Sequence, residues 1–209
     1  GQLATEEKSN EITAIPELIS NIDVAGAIVT IDAAGCQKTI AAKIVVGGGD
    51  YVLALKGNQS SLQDDMRQLF DRGMETNFQG MSHDVYETKE KGHGRIDERT
   101  CHVIAIPKDH PQRERWKDLK TLAVTVSRRV IDETETWESR LYVSSHAPRA
   151  KLLATAIRRH WSIENSQHWV LDVTFAEDAR RQQDRNGGAN LAAVRRLALS
   201  LLRQEQTIK

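Results

Sequence analysis

Short apolar runs alternate with helix-like spacing over the first third of the chain. Ala27–Ile31 and Tyr51–Leu55 are runs of mainly apolar residues, which are typical of buried strands. Residues 33–46 and 61–70 instead carry apolar side chains at helical intervals, and Gly47–Gly49 ends the first of these two helices. This order of strand, helix, strand and helix predicts a parallel α/β unit.

Helices are also predicted outside this unit. The first has Thr13 as its N-cap and Pro16 in its first turn, where the missing N–H costs little. A later helix covers residues 148–171. The last helix follows Gly187–Gly188, and its apolar stripe consists of Leu191, Val194, Leu197 and Leu201.

The middle third of the chain has a different, partly alternating pattern. Residues 83–106 and 121–144 are predicted to be extended, and a polar stretch at 107–120 separates them. We interpret this region as an antiparallel β insertion. The pattern therefore divides the chain into three parts, residues 1–80, 81–146 and 147–209.

Composition limits the classes of protein to which the chain can belong. Among the 209 residues, no apolar run approaches the roughly 20 needed to cross a bilayer, and no charged-then-apolar segment opens the chain. Neither a membrane role nor a secretory signal is therefore expected. Two cysteines, Cys36 and Cys101, are too few for a disulfide framework or a four-cysteine metal site. A reducing, cytoplasmic setting is expected.

Charge is balanced overall but not along the chain. Basic and acidic residues number 29 each, which argues against a general positive field for nucleic acid. Residues 1–50 hold three lysines against seven acids, whereas residues 151–203 hold nine lysines and arginines against five acids. A polyanion is therefore expected to meet the C-terminal third, although such charge runs are also typical of solvated faces.

Asp32 directly follows the first predicted strand. Open α/β sheets bind their ligands at the carboxyl ends of their strands, so this position favours a functional carboxylate. A structural role is equally open, because Asp32 would also serve as the cap of the next helix.

The predicted helix around Glu164 carries an unusual polar stripe. His160, Glu164, His168 and Asp172 follow one another at intervals of four residues, so they share one helix face. An ordinary amphipathic helix is the alternative. A zinc-peptidase site is excluded by the spacing, because its two histidines must lie on adjacent turns. Carboxylates from Asp32 and Glu164 suit Mg²⁺ better, and one or two such ions support phosphodiester chemistry.

Two further segments offer weaker candidates. Lys56 and Asn58 follow the second strand and are predicted to reach the same sheet edge as Asp32, although a plain turn explains them nearly as well. Arg95 lies in a Gly-His-Gly-Arg segment that either presents it to a phosphate or forms a hairpin tip.

Five segments together resemble one known family: Thr30–Gln37, Leu55–Gln59, His93–Arg95, His160–Asn165 and His168–Val173. In this order they resemble the H-repeat-associated insertion-sequence transposases of bacteria, members of the DDE superfamily. The resemblance runs over essentially all 209 residues. It implies an α/β fold with an RNase H-like core of mixed sheet and flanking helices, interrupted by an antiparallel β insertion at 81–146.

The resemblance also implies a chemistry and its site. Such transposases use three acids and Mg²⁺, with Mn²⁺ as a substitute, to cut DNA at transposon ends and join a freed 3′ hydroxyl to target DNA. By motif, Asp32 matches the second catalytic aspartate and Glu164 the glutamate, and both are expected to bind the metal. With the candidates above, the expected DNA-binding residues are Lys56, Asn58, Arg95, Arg158, Arg159, His160, Asn165 and His168. DNA is the expected partner, and whether the protein forms a homodimer is left open.

The chain departs from the family pattern in three respects. The first aspartate of the family lies in an Asp-Gly-Lys segment that does not occur here, and Asp23 is a poor substitute because it follows a helix. The family's N-terminal DNA-end-binding region is also missing, so we expect Gly1 to mark a truncation. Ile157, His160 and Leu171 stand near the places where related transposases have tyrosine, arginine and lysine.

Three hypotheses follow. The first is the C-terminal portion of a DDE transposase, inactive by itself. The second is a catalytically dead remnant that binds DNA through its basic C-terminal third. The third is an RNase H-like nuclease with other biology, which would need Asp172 as its third acid, about 12 Å from Glu164 by helical rise.

Overall fold

The structure is a computed structural model that describes residues 11–92, 94–163, 170–176 and 185–204. The chain divides into two units, Gly1–Ile157 and Arg158–Lys209. The strands are β1 (Ile28–Ile31), β2 (Asp50–Leu55), β3 (His83–Gly92), β4 (Arg95–Ala105), β5 (Thr121–Ile131) and β6 (Thr134–Ser144). The helices are α1 (Glu11–Ser20), α2 (Lys38–Val46), α3 (Ser60–Glu75), α4 (Gln112–Arg115), α5 (Ala150–Ile163) and α6 (Arg185–Gln204).

The six strands in the described part of the first unit form one mixed sheet in the order β1-β2-β6-β5-β4-β3. The β1–β2 pair is parallel, whereas β2 pairs with β6 in antiparallel fashion and β3 to β6 form antiparallel ladders. The predicted α/β class with a mixed sheet and flanking helices is therefore confirmed. The division at 81 and 146 remains a prediction, and β3 to β6 continue the sheet that β1 and β2 begin.

Each face of the sheet has its own helical cover because side chains alternate along a strand. Tyr51 and Leu53 pack with the buried residues of α2 and α3, and we call this the α3 face. Val52 lies on the opposite face with Leu153 and Ile157 of α5, which we call the α5 face. The layered arrangement buries apolar side chains on both sides of the central strands.

Strands β3 to β6 continue well past the end of β2. Leu55, the last residue of β2, is level with Leu141, Val124 and His102. The residues beyond this row form a four-stranded extension about 20 Å long, at roughly 3.3 Å per residue. We call it the β-arm, and it comprises residues 86–92, 95–101, 125–131 and 134–140. Because β1 and β2 end near its base, the β-arm extends from the carboxyl edge of the parallel pair.

Several boundaries differ from the sequence prediction. Helix α2 begins at Lys38 rather than at residue 33, because residues 33–36 form a hydrogen-bonded turn. Pro16 is the sixth residue of α1 instead of lying in its first turn. In the later part of the chain, α5 ends at Ile163 in the described residues, and Val170–Thr174 form a π-helical turn.

The last helix also departs from expectation. It begins at Arg185, so the two glycines at 187 and 188 lie within its first turn, where they are tolerated. Val194, Leu197 and Leu201 of the predicted apolar stripe are exposed, and Ala192, Arg195 and Leu199 are buried instead. Among the helices in the described ranges, none is long and apolar enough to span a lipid bilayer.

Candidate active site at the carboxyl edge of the parallel strands

Asp32 lies in a tight turn immediately after β1. Its Oδ1 accepts a hydrogen bond from the Gly35 backbone N–H at 3.1 Å, and the Cys36 N–H donates to the Ala33 carbonyl at 3.2 Å. The side chain is exposed. Asp32 therefore caps a turn, and it does not cap helix α2, which starts six residues later. This geometry fixes one carboxylate oxygen and presents the group at the sheet edge.

Gly35 is required by close packing in this turn. A Cβ at position 35 would collide with the Ile31 side chain and would lie 3.1 Å from Ile15 Cδ1. Any larger residue would push the turn away from the end of β1 and so displace the atom that holds Asp32.

The segment after β2 supports the same turn from the side. The Asn58 Nδ2 donates to the Ala33 carbonyl at 2.6 Å, and the Gln59 Nε2 donates to the Cys36 carbonyl at 3.0 Å. The Asn58 side chain therefore contacts the turn of Asp32, and its predicted role in binding DNA remains a prediction. Lys56 is exposed directly after β2. Its role in binding DNA remains a prediction.

Cys36 lies buried beneath the Asp32 turn. Burial, with a smaller effect from the negative charge of Asp32, raises the pKa of its thiol to about 12. The thiol is therefore protonated at neutral pH and unsuited to act as a nucleophile. It contributes apolar packing under the turn.

Arg95 lies at the start of β4, on the β-arm. Gly94 before it has a φ of +73°, which favours glycine in the hairpin turn, and Arg95 faces Gly92 across the strands. Its Nε lies 3.1 Å from Asp97 Oδ2. The hairpin-tip interpretation is correct for the backbone, and the proposed phosphate contact remains a prediction.

Residues of the second unit are described only in part. Arg158 and Arg159 are exposed on α5, and the His160 ring meets Trp161 edge to face at 5.6 Å. Asp172 is exposed in the π-helical turn. Glu164, Asn165 and His168 lie outside the described residues. The meeting of Asp32 with Glu164 therefore remains a prediction, and in the described ranges no group of three or more His, Cys, Asp or Glu side chains is placed to hold a metal ion.

Sequence reasoning missed two residues that build this site. Gln59 appeared only as part of a turn motif, although its side chain ties the segment after β2 to the segment after β1. Gly35 appeared only as a residue of the predicted helix. The signal in both cases was their place in the motifs that carry the family resemblance, Leu55–Gln59 and Thr30–Gln37.

Comparison with known proteins decides the family. The family model described as the transposase DDE domain matches residues 1–201. The chain belongs to this family of DDE transposases. The family resemblance that the sequence motifs indicated is thereby confirmed. The mixed α/β fold is consistent with the RNase H-like core of the family.

Curated relatives of this transposase domain match it along its whole length. The "Putative transposase YncI" of Escherichia coli O157:H7 is 43% identical over 214 residues, which cover 100% of this chain and 54% of the relative. The "H repeat-associated putative transposase YhhI" of Escherichia coli K12 is 41% identical, with 100% of this chain and 56% of the relative covered. The chain thus spans about half the length of the curated relatives it matches.

Proposed function

We propose that the chain is the part of a DDE transposase that supplies two of its three catalytic acids, Asp32 and Glu164, for cutting DNA and joining a 3′ hydroxyl to target DNA. The observation that carries the proposal is the position of Asp32. Its carboxylate is exposed at the carboxyl end of a parallel strand, and a hydrogen bond within the turn holds it in place. The domain that contains it matches the transposase family.

The donor set fits Mg²⁺ or Mn²⁺ only in part. Carboxylates are the ligands that these hard cations prefer, and Asp32 supplies one of them. A single carboxylate is too few, so a site needs Glu164 and a further acid that the family places upstream of this region. When bound, two ions would activate the attacking oxygen and stabilise the leaving oxygen. These 209 residues by themselves are expected to bind the metal weakly and to cleave DNA at a negligible rate.

The proposal assigns DNA, both transposon ends and target, as the partner. Positive and polar side chains near the two acids would hold its phosphates. These are Lys56, Asn58, Arg95, Arg158, Arg159, His160, Asn165 and His168. Cytoplasmic location is part of the same proposal, in keeping with an enzyme that acts on chromosomal DNA, and a homodimeric assembly is left open.

A chimera provides the test. The amino-terminal part of the relative YhhI is joined to this chain where the two sequences begin to match, and Mg²⁺-dependent cleavage and strand transfer are measured on labelled transposon-end DNA. We expect the chimera to be active. We expect Asp32→Asn and Glu164→Gln each to slow cleavage at least about 100-fold, which corresponds to about 2.7 kcal/mol of barrier.

Asp23→Asn is the matched control. Asp23 Oδ1 accepts a hydrogen bond from the Ala25 N–H at 3.0 Å, so it is also an aspartate in a turn, but it precedes β1. Its replacement should leave the cleavage rate unchanged. A chimera that binds DNA and cleaves equally well with Asp32→Asn would overturn the proposal, and DNA binding with no cleavage at all would favour the catalytically dead remnant. Cleavage by the 209 residues alone, lost in Asp32→Ala, would overturn the need for an upstream acid.

A further inference from the structure

Three arginines converge on one buried carboxylate in the β-arm. The Asp97 side chain is 7% exposed, with Arg129 Nε at 2.7 Å from Oδ1 and Arg95 Nε at 3.1 Å from Oδ2. Arg99 Nη2 lies 3.7 Å from Oδ1, and its Nη1 also pairs with Glu90 at 3.2 Å. The register places Asp97 directly opposite Arg129 and Glu90, so the cluster is built by strand pairing.

The cluster has more donors and more charge than its own acids can use. Each guanidinium carries five N–H donors, whereas one carboxylate offers about four acceptor sites. The three arginines face two acids, Asp97 and Glu90, so one positive charge is in excess. The Arg95 and Arg129 side chains are 50% and 48% exposed. The cluster therefore offers fixed and accessible N–H groups to an anion.

The cluster lies on the α5 face, and strand alternation from Thr30 puts Asp32 at the end of β1 on the same face, whereas Cys36 of the following turn packs into the core of the α3 face. Asp97 has the same strand parity as Cys101, which is buried on the α5 face, and Thr30 lies on that face two residues before Asp32. Asp97 is about five residues, or roughly 17 Å, beyond the end of β2. With four strand spacings from β1 to β4, the separation from Asp32 is on the order of 30 Å. B-DNA covers this distance in about nine base pairs.

We propose that Arg95, Arg99 and Arg129 bind the phosphodiester backbone of duplex DNA about nine base pairs from the phosphate that reacts at Asp32. The proposal rests on the proposed function for the reacting site, and it adds Arg99 and Arg129 to the residues that contact DNA. Planar guanidinium groups with excess donors suit phosphate oxygens, and such contacts fix the position of the protein on the duplex without reading its sequence.

The opposite face of the β-arm supplies a matched control. Arg128 is the chain neighbour of Arg129, but it points to the α3 face, where Glu98 and Glu135 pair with it at 2.7 and 2.9 Å. Lys91 is likewise exposed near the arm tip and faces Ile96 in the register. Variants at these two positions each remove one positive charge from the other face of the β-arm, Arg128 from the strand that carries Arg129 and Lys91 from the neighbouring β3.

The experiment measures the affinity of the 209-residue protein for a random-sequence duplex of about 30 base pairs by fluorescence anisotropy, between about 50 and 200 mM NaCl. Arg129→Gln and Arg95→Gln are each expected to raise Kd about fivefold and to reduce the slope of log K against log salt by about 1. Arg128→Gln and Lys91→Gln should leave the slope unchanged. Circular dichroism melting checks each variant's fold, and Arg95, at a strand end, is the safer position.

The inference would be overturned if Arg128→Gln and Arg129→Gln lowered DNA affinity equally. It would also be overturned if the wild-type protein bound DNA and none of the four variants lowered that affinity. The proposed function would then stand, because its test is cleavage by the chimera. A wild-type protein that does not bind duplex DNA even at low salt would overturn the inference and, with an inactive chimera, the proposed function as well.

Discussion

The two faces of the β-arm use similar residues to reach different electrostatic states. On the α3 face, Lys89 and Arg128 alternate with Glu98 and Glu135 in a balanced ladder of ion pairs. On the α5 face, three arginines share Asp97, which is buried. Arg128 and Arg129 are consecutive, so their side chains point to opposite faces of the strand. Arg128 is therefore neutralised by the acids of the α3 face, and Arg129 belongs to the cationic cluster of the α5 face.

The difference matters for stability as well as for binding. Exposed ion pairs such as those of the balanced ladder contribute little, because water and salt screen them. A buried carboxylate that holds several guanidinium groups contributes more, and its loss leaves like charges close together. The ion pairing of the α5 face thus depends on one residue, Asp97, whereas that of the α3 face is shared among four residues.

Asp97→Ala is expected to have the largest effect on stability. It leaves Arg95, Arg99 and Arg129 without their shared partner, and the free energy of unfolding should fall by about 2 kcal/mol. This is less than the roughly 3–5 kcal/mol typical of a fully buried pair, because the guanidinium groups are partly exposed. Urea unfolding followed by circular dichroism at pH 7 gives the value. Glu98→Ala, the neighbouring position on the other face, should lower it less, and equal losses would contradict the distinction between the faces.

Lowering the pH should destabilise the protein in two separate steps. His83 Nε2 lies 3.2 Å from His102 Nδ1 at the base of the α3 face, and the His83 ring stacks on Phe78 at 3.6 Å. Burial lowers the pKa of both histidines below the ordinary value of 6.5. The unfolded chain therefore binds more protons, and stability is lost as the pH falls from about 6.5 through the folded pKa values.

The second step involves the carboxylates of the β-arm, of which Asp97 on the α5 face is the buried one. Hydrogen bonds from Lys89 and Arg128 also lower the pKa values of Glu98 and Glu135 on the α3 face. The hydrogen bond from Arg129 holds the pKa of Asp97 below its ordinary value of 3.8, so the stability it contributes is present above that value and is lost as the pH falls through the folded pKa. Urea midpoints between pH 7 and pH 3 measure both steps. His102→Gln should flatten the upper step alone, and Asp97→Ala should make the lower one smaller. A midpoint that is constant from pH 7 to pH 5 would contradict the histidine step.

The end of β1 illustrates what local patterns predict and where they fail. The apolar run at 27–31 and the acid that follows it were predicted from neighbouring residues alone, and the structure has a strand at 28–31 followed by the exposed carboxylate. The turn after Asp32 was predicted to be helical because its apolar spacing continues into α2. Side chains from Asn58 and Gln59, more than 20 residues away, hold that turn, and periodicity contains no information about them.

The β-arm shows the same division between local and long-range information. Alternation predicted extended segments at 83–106 and 121–144, and the four strands lie there. Which arginines share a face with Asp97 depends on the register between β4 and β5, which are separated in the chain by α4 and its flanking loops. A shift by one residue would have exchanged Arg128 for Arg129. Glu164 lies outside the described residues, so its meeting with Asp32 stays a prediction.

The smallest effect is expected at Trp137, on the balanced face. Its ring is 64% exposed, with the Arg128 guanidinium carbon 5.8 Å from the ring centroid, and its Nε1 donates to Glu135. Trp137→Ala should lower the free energy of unfolding by no more than about 0.5 kcal/mol, because the cation–π contact is solvated. Repeating the substitution in an Arg128→Gln background isolates the pair, and the two changes should be nearly additive. A strong coupling between them would mean that the ladder of the α3 face is a cooperative unit, comparable to the Asp97 cluster.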